Sequence, residues 1–326
     1  MSEVRASEAS KLGDVARRLQ HQLVGRQREV EIVLAALHAG RHILIEGPPG
    51  TGKSTLLRGV AAELGLGFEF VEGNAELTPS RLVGHFDPAR VLDDGYDPDV
   101  FVDGPLMTAM RDGSLLYVEE INRVPEETLN VLITVMSERE LHVPRLGRVP
   151  AASGFRLVAA MNPFDTVGTA RISSAVYDRV CRLAVGYQRA DEEVTIVRRE
   201  SPAADAAWVA KVVDVVRSTR CHPDLRVGSS VRGALDIAAV AASLGALRNV
   251  APTDQALGLD AALVALSGRV RVREGVGTSS EEIITALWND AYAATSEGDG
   301  REDGEPDGDT VGDAGKVSAP AGADRR

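Results

Sequence analysis

Aromatic side chains are scarce in this chain, at 4% of 326 residues. Any core must therefore be aliphatic, and the 44% hydrophobic content is enough to build a sizeable one from Leu, Val, Ile and Ala. Cysteine is scarcer still: Cys181 and Cys221 stand alone. Two cysteines exclude a disulfide framework and a Cys-rich metal centre, and they suit a reducing compartment. No apolar run is long enough to cross a bilayer, and the polar stretch from Met1 to Leu12 has no apolar h-region. The expectation is a cytoplasmic protein without a membrane partner. Basic charge is in deficit too. The net charge of -12 offers no positive field to a phosphate backbone, so nucleic acid is a disfavoured partner.

Against these absences stands one dense motif, Gly47-Pro48-Pro49-Gly50-Thr51-Gly52-Lys53-Ser54, followed by Thr55. It fits G-x-x-x-x-G-K-[ST]. Glycines let backbone N–H groups turn inward around phosphate oxygens where a Cβ would obstruct them. The helix that follows offers its free N–H groups and positive dipole end to the same anion. Lys53 can carry a full charge to the β- and γ-phosphates, and the Ser54 hydroxyl can ligate Mg²⁺. The flanks agree. Arg41 to Glu46 reads as a buried strand, and Lys53 to Leu64 as a helix with Leu56, Leu57, Val60, Ala61 and Leu64 on one face.

Strands and helices alternate through the first half. After an amphipathic helical stretch over 1–24 and a second helix from Glu29 to Ala39, strands are expected at 41–46, 68–72, 114–120, 156–163 and 180–187. Thr78-Pro79 is a helix start, with a cap residue before a first-position proline. Residues 84–105, with Asp87, Asp93, Asp94, Asp97 and Asp99 around Gly95-Tyr96-Asp97-Pro98, read as an exposed hairpin or loop inserted between helices. Their spacing does not match a Ca²⁺ loop. Residues 139–152, with Val143-Pro144 and Gly147, are a second hairpin candidate. Beyond Gln188 the pattern is helical only, and Ser279-Ser280-Glu281-Glu282 offers a capping box to the last helix. The expected organisation is an N-terminal helix (1–24), an α/β nucleotide-binding core on a parallel sheet (25–188), an all-helical lid (189–296) and an acidic tail (297–326). That tail holds nine acids against four bases and almost no large apolar residue, so disorder is expected there.

Glu119 and Glu120 close an apolar strand, and ligands of parallel sheets sit beyond the carboxyl ends of strands. One carboxylate can hold Mg²⁺ through water while the other orients and deprotonates the attacking water. Adjacent strand residues face opposite ways, so only a local bend lets both reach one site. Asn162, at the end of the fourth strand, can place its amide between the γ-phosphate and that water; Asn-Pro is also a common turn dipeptide. Arg179 suits either a surface salt bridge or a guanidinium offered to a neighbouring subunit's site. Arg232, early in a lid helix, can reach the phosphates of its own subunit. Arg171 and Arg123 are secondary candidates for contacts between subunits.

In order and spacing these segments resemble AAA+ ATPases, and within them the MoxR type. Residues 47–54 resemble the Walker A motif. Tyr117-Val118-Glu119-Glu120-Ile121-Asn122-Arg123 resembles the Walker B motif and the Ile-Asn-Arg that follows it. Ala160-Met161-Asn162-Pro163 is similar to the first sensor, Tyr177-Asp178-Arg179 to the arginine finger, Gly228 to Ala234 to the second sensor, and Val24-Gly25 to the linker that lies over adenine. The resemblance spans roughly residues 20–293, with 84–105 and 139–152 where that clade inserts hairpins. It implies a 5-1-4-3-2 sheet, a helical lid, ATP and Mg²⁺ as ligands, and homo-oligomeric, hexameric rings. It also implies ATP hydrolysis that drives chaperone-like remodelling or maturation of a protein client, with von Willebrand factor A-domain proteins as partners. One residue departs from the pattern: Glu119 stands where the Walker B aspartate is expected. It keeps the carboxylate but reaches one methylene further, which leaves a nucleotide-gated scaffold with weak hydrolysis as the alternative to an ATPase.

Overall fold

The computed structural model describes residues 2–163 and 172–298. Arg171 and nearly all of the expected acidic tail lie outside them. Helices α1 (Ser2–Gln22) and α2 (Gln27–His38) lead into β1 (His42–Glu46), α3 (Lys53–Leu64) and β2 (Phe68–Glu72). There follow α4 (Pro79–Val83), β3 (Gly84–Phe86), α5 (Pro88–Asp94), β4 (Phe101–Asp103) and α6 (Pro105–Asp112). Next come β5 (Leu115–Glu119), α7 (Glu126–Glu138), β6 (Glu140–Val143), β7 (Gly147–Pro150), β8 (Arg156–Met161), α8 (Ser174–Tyr177) and β9 (Val180–Ala184). The last elements are α9 (Ala190–Glu200), α10 (Ala206–Cys221), β10 (Leu225–Val227), α11 (Val231–Arg248), α12 (Gln255–Leu266), β11 (Arg271–Val272) and α13 (Ser280–Gly298).

Five of these strands form one parallel sheet in the order β2-β5-β8-β1-β9. Numbered within the sheet alone, the order reads 5-1-4-3-2; the labels run higher because two hairpins intervene in the chain. Side chains alternate across the sheet. Ile43, Ile45, Leu115, Tyr117, Val158, Ala160 and Leu183 pack on α1, α2 and α3. Leu44, Leu116, Val118, Leu157 and Ala159 pack on α4, α6 and α7. Both faces are covered, which is why β1 is buried throughout, with an apolar run from Ile43 to Ile45, rather than alternating. Each fully buried Leu or Ile contributes about 1.5–3 kcal/mol of transfer free energy, so an aliphatic core suffices without aromatics.

The first insertion is a hairpin of two three-residue arms, β3 and β4, with α5 between them. Its aspartates have local work to do. Asp87 accepts from Ala89 N and Asp97 from Asp99 N, each at 2.9 Å and each ahead of a proline at the helix start. Asp94 pairs with Arg90 and Asp103 with Arg111. The second insertion, β6 and β7, turns at Arg145 with φ +67°. The Arg145 guanidinium lies 3.5 Å from the Tyr96 ring centre, so the two insertions touch.

The region after Gln188 has its own core around Trp208, Trp288, Val212, Ile237 and Leu266. It is not all helical, as its sequence suggests: β10 and β11 pair antiparallel through Leu225↔Val272 and Val227↔Arg271. At three and two residues these strands are too short for a period-two pattern to show. The last helix opens on the expected capping box. Glu282 N donates to Ser279 Oγ (3.2 Å) and Ser279 N to Glu282 Oε2 (2.7 Å).

Candidate functional site

Residues 47–52 join β1 to α3 at the carboxyl edge of the sheet. Gly47 N donates to Met161 O at 3.1 Å, tying the loop to the end of β8. A Cβ on Gly47 would lie 2.1 Å from Val185 O. At Gly50, with φ +74°, a Cβ would lie 2.2 Å from Ser230 Oγ. Gly52, at φ +80°, is the N-cap of α3. These conformations and close approaches admit only glycine at low cost. Lys53 curls back into the loop and donates to Gly47 O (2.9 Å) and Pro48 O (2.8 Å), while Thr51 Oγ1 donates to Pro48 O (3.0 Å). Burial lowers the Lys53 pKa, with Glu119 opposing and Arg232 and Arg26 adding to the fall. A buried ammonium at a helix N-terminus, ringed by inward-turning glycines, is a cradle for an anion.

Beside it, Ser54 Oγ donates to Glu119 at 3.2 and 3.3 Å from the two carboxylate oxygens, and lies 3.2 Å from the Tyr117 hydroxyl. The extra methylene of Glu119 thus brings its carboxylate onto Ser54. Glu120 supplies the bend that the adjacent carboxylates need. It adopts φ 52°, ψ 44°, a left-handed conformation that ends the strand at Glu119 and opens a short 3₁₀ turn at Ile121. Glycine at position 73 makes room for that turn, since a Cβ there would lie 2.4 Å from Glu120 O. Arg123, one turn on, pairs with Glu120 at 3.0 Å. Asn162 follows directly on the end of β8, half-buried, next to the carbonyl that anchors Gly47.

Arg232 reaches the loop from α11, with its Cδ 3.5 Å from where a Gly50 Cβ would stand. Val24, Gly50, Gly52, Thr55 and Arg232 share a cavity of about 530 Å³ between the sheet and the helices that follow it. Pro49 is exposed on the outer turn of the loop. Gly25 does not line the cavity; it sits at φ +68° against the Glu192 carboxylate. Arg179 is held within its own chain, donating to Ser137 Oγ of α7 and to Ala175 O (2.8 Å).

Arg26 and Tyr117 touch the site though neither is among the candidate site residues of the sequence, and Glu46 stands at its edge. Buried Arg26 clamps the loop, donating to Thr51 O (2.9 Å) and Gly186 O (2.7 Å). Glu46, 4% exposed, accepts from Tyr177 Oη (2.9 Å) and Arg182 Nε (2.7 Å). Tyr117 shares a strand face with Glu119, and the period-two spacing is a signal that could have found it.

The residues fit a nucleoside triphosphate with Mg²⁺. The loop is closed by glycines, its lysine is buried inside it, and the neighbouring donors are hard oxygens from Ser54 and Glu119. Among the described residues there is no cluster of three or more His, Cys, Asp or Glu that would hold a metal alone. No described helix is long and apolar enough to cross a membrane.

The family profile described as AAA domain (dynein-related subfamily) matches residues 42–180. Gas vesicle ATPase GvpN1 of Halobacterium salinarum is 30% identical over 268 residues, 77% of this chain and 75% of that protein. An uncharacterised protein of Staphylococcus epidermidis is 29% identical over 221 residues, 66% of this chain and 83% of that one. Among solved structures, the Thermotoga maritima RuvB Holliday junction branch migration motor superposes with a TM-score of 0.50. That likeness covers 74% of this chain and 70% of that one at 18% identity, and it shows the fold alone.

Proposed function

The chain belongs to the AAA+ ATPases, and from that premise we propose that it hydrolyses ATP to drive chaperone-like remodelling or maturation of a protein client, as the MoxR type does. The observation that carries this reading is the pair of carboxylates at the end of β5. Glu119 lies on Ser54, and Glu120 leaves the strand register in a left-handed turn, paired with Arg123 and near enough for its charge to act on Lys53. A phosphate loop alone means only nucleotide binding; a second carboxylate near it is a candidate for the base.

In this reading the loop of residues 47–52 wraps the phosphates, which the backbone N–H groups of Gly50, Thr51 and Gly52 and the Lys53 ammonium hold, with Val24 and Thr55 along the base-proximal cavity and Gly25 setting the turn into α2. Ser54 and Glu119 hold Mg²⁺, directly or through water. The bound cation supplies charge neutralisation across the β- and γ-phosphates. Glu120 orients the attacking water and takes its proton, Asn162 fixes that water, and Arg232 brings a guanidinium to the phosphates from α11. Arg179 acts on a neighbouring subunit's site in a homo-oligomeric ring, hexameric in the MoxR manner. A von Willebrand factor A-domain protein is the partner that type implies.

Steady-state phosphate release tests the enzyme reading. Glu120→Gln should lower the rate about 100- to 1,000-fold while nucleotide still binds. Equal, low rates in wild type and Glu120→Gln would leave a nucleotide-gated scaffold as the function. Glu119 in place of aspartate is the observation that favours that second reading.

A further inference from the structure

The third residue of β5 is out of character with its strand. Leu115, Leu116 and Val118 are aliphatic and buried, whereas Tyr117, equally buried, carries a hydroxyl. Its ring cannot withdraw. It lies 5.8 Å from the Phe68 ring and 5.7 Å from the Phe70 ring, and Arg58 of α3 caps both phenylalanines. The strand register sets Phe70 opposite Tyr117. Ordinary core packing would be served by phenylalanine, and a buried hydroxyl without a partner costs about 1–3 kcal/mol. This hydroxyl has a partner, the Ser54 hydroxyl 3.2 Å away, which in turn bonds Glu119.

We propose that Tyr117 is a positioning residue, whose hydroxyl acts with Glu119 to fix the Ser54 hydroxyl for the cation that accompanies the nucleotide. The inference rests on reading residues 47–54 as a nucleotide site. A serine hydroxyl has one proton and two lone pairs. The Ser54 proton goes to Glu119, whose two oxygens are 3.2 and 3.3 Å away. Tyr117 is then the donor across the 3.2 Å contact and occupies one lone pair. One lone pair remains, with its direction set. The same contacts account for the glutamate. Glu119 has one more torsion than aspartate and would otherwise sample more rotamers; Ser54 holds its carboxylate in place, and Tyr117 holds Ser54. Tyr117 and Glu119 are thus a coupled pair, and each makes sense of the other.

The test is the affinity of the full-length protein for a fluorescent ATP analogue, with Mg²⁺ and with EDTA. In wild type Mg²⁺ should tighten binding. Tyr117→Phe should reduce that tightening about 3- to 10-fold and leave the EDTA affinity unchanged, with melting temperature held by the retained ring packing. Glu119→Asp should also reduce it, and the double variant should be no worse than the worse single one, because the pair acts as a unit. A Tyr117→Phe protein with wild-type Mg²⁺ dependence, an equal loss with Mg²⁺ and with EDTA, or losses that multiply in the double variant would each overturn the inference alone. Wild-type binding that ignores Mg²⁺ would sink both it and the site reading. Glu119→Asp also reports independently of the folding of Tyr117→Phe. Shortening the carboxylate should change the tyrosine ultraviolet difference spectrum raised by Mg²⁺ and nucleotide, and an unchanged spectrum overturns the pairing.

Discussion

The five parallel strands have two ends, and buried polar groups gather at both. At the carboxyl end Lys53, Ser54, Tyr117 and Glu119 converge on one loop, and their contacts are mostly with one another or with that loop. At the amino end the polar groups diverge. His42 Nδ1 accepts from Leu157 N at 2.9 Å, and Arg156 donates to Ser153 O (2.8 Å) and Phe155 O (2.6 Å). The Ser114 hydroxyl fills the space that a side chain on Gly67 would need. His42 and Arg156 serve the backbone beside them, and Ser114 fills space. Burial is therefore no mark of function in this molecule, because both ends have it; convergence is. The rule for open parallel sheets, with ligands beyond the carboxyl ends, is met here by side chains that face one loop.

The largest expected effect tests the convergent end. Lys53→Ala removes the one ammonium inside the loop and should weaken ATP binding about 100-fold or more, read by equilibrium titration. Stability without nucleotide should hold or rise slightly, since a buried cation whose pKa is pushed down by desolvation is removed. A protein that binds as before, or one that unfolds, would place Lys53 with the structural groups of the opposite end and break the contrast.

The amino end should respond to pH and not to nucleotide. Burial, with Arg156 and Arg139 nearby, lowers the His42 pKa to about 4 from its ordinary 6.5. The neutral ring is the form that accepts from Leu157 N. The unfolded chain takes up a proton near pH 6.5 and the folded chain only near 4. The stability that His42 contributes is therefore complete above about pH 6.5, is lost as pH falls toward 4, and is flat below that, for a total of up to about 3 kcal/mol. The stability that wild type loses between pH 7 and 4, read by denaturant melts, should exceed that lost by His42→Gln by up to this amount. Equal losses would show that His42 is not held neutral.

Much of this contrast was legible in the sequence. The loop, its strand and its helix were readable because their signals are local: glycines at fixed offsets, an apolar run, a helical face. The need for a bend between Glu119 and Glu120 follows from strand geometry alone, and the left-handed Glu120 meets it. What was missed lies far apart in the chain or in too few residues. Arg26 meets Thr51 and Gly186 across 25 and 160 residues. The pair β10–β11 is only three and two residues long. The aspartates of 84–105 looked like mere exposure, yet Asp87 and Asp97 are caps, which the following prolines already hinted at. Arg179 meets only its own chain among the described contacts, and no single subunit's sequence or fold contains the neighbour it would serve.

Glu46 sharpens the comparison, because its position and its contacts disagree. It ends β1 immediately before Gly47, so by position it belongs to the convergent end. Its contacts point aside, to Tyr177 of α8 and Arg182 of β9. If convergence rather than position marks function, Glu46 is structural, and breaking its bond to Tyr177 should behave as at the amino end. Tyr177→Phe keeps a ring that is already 38% exposed and removes one hydrogen bond to a buried carboxylate. With Arg182 still bound to Glu46, the cost should be about 1 kcal/mol in a denaturant melt, and ATP affinity should change less than about twofold. A large fall in affinity with stability unchanged would move Glu46 into the site. The boundary would then follow the strand end after all, with α8 and the Arg179 that follows it tied to the base of the phosphate loop.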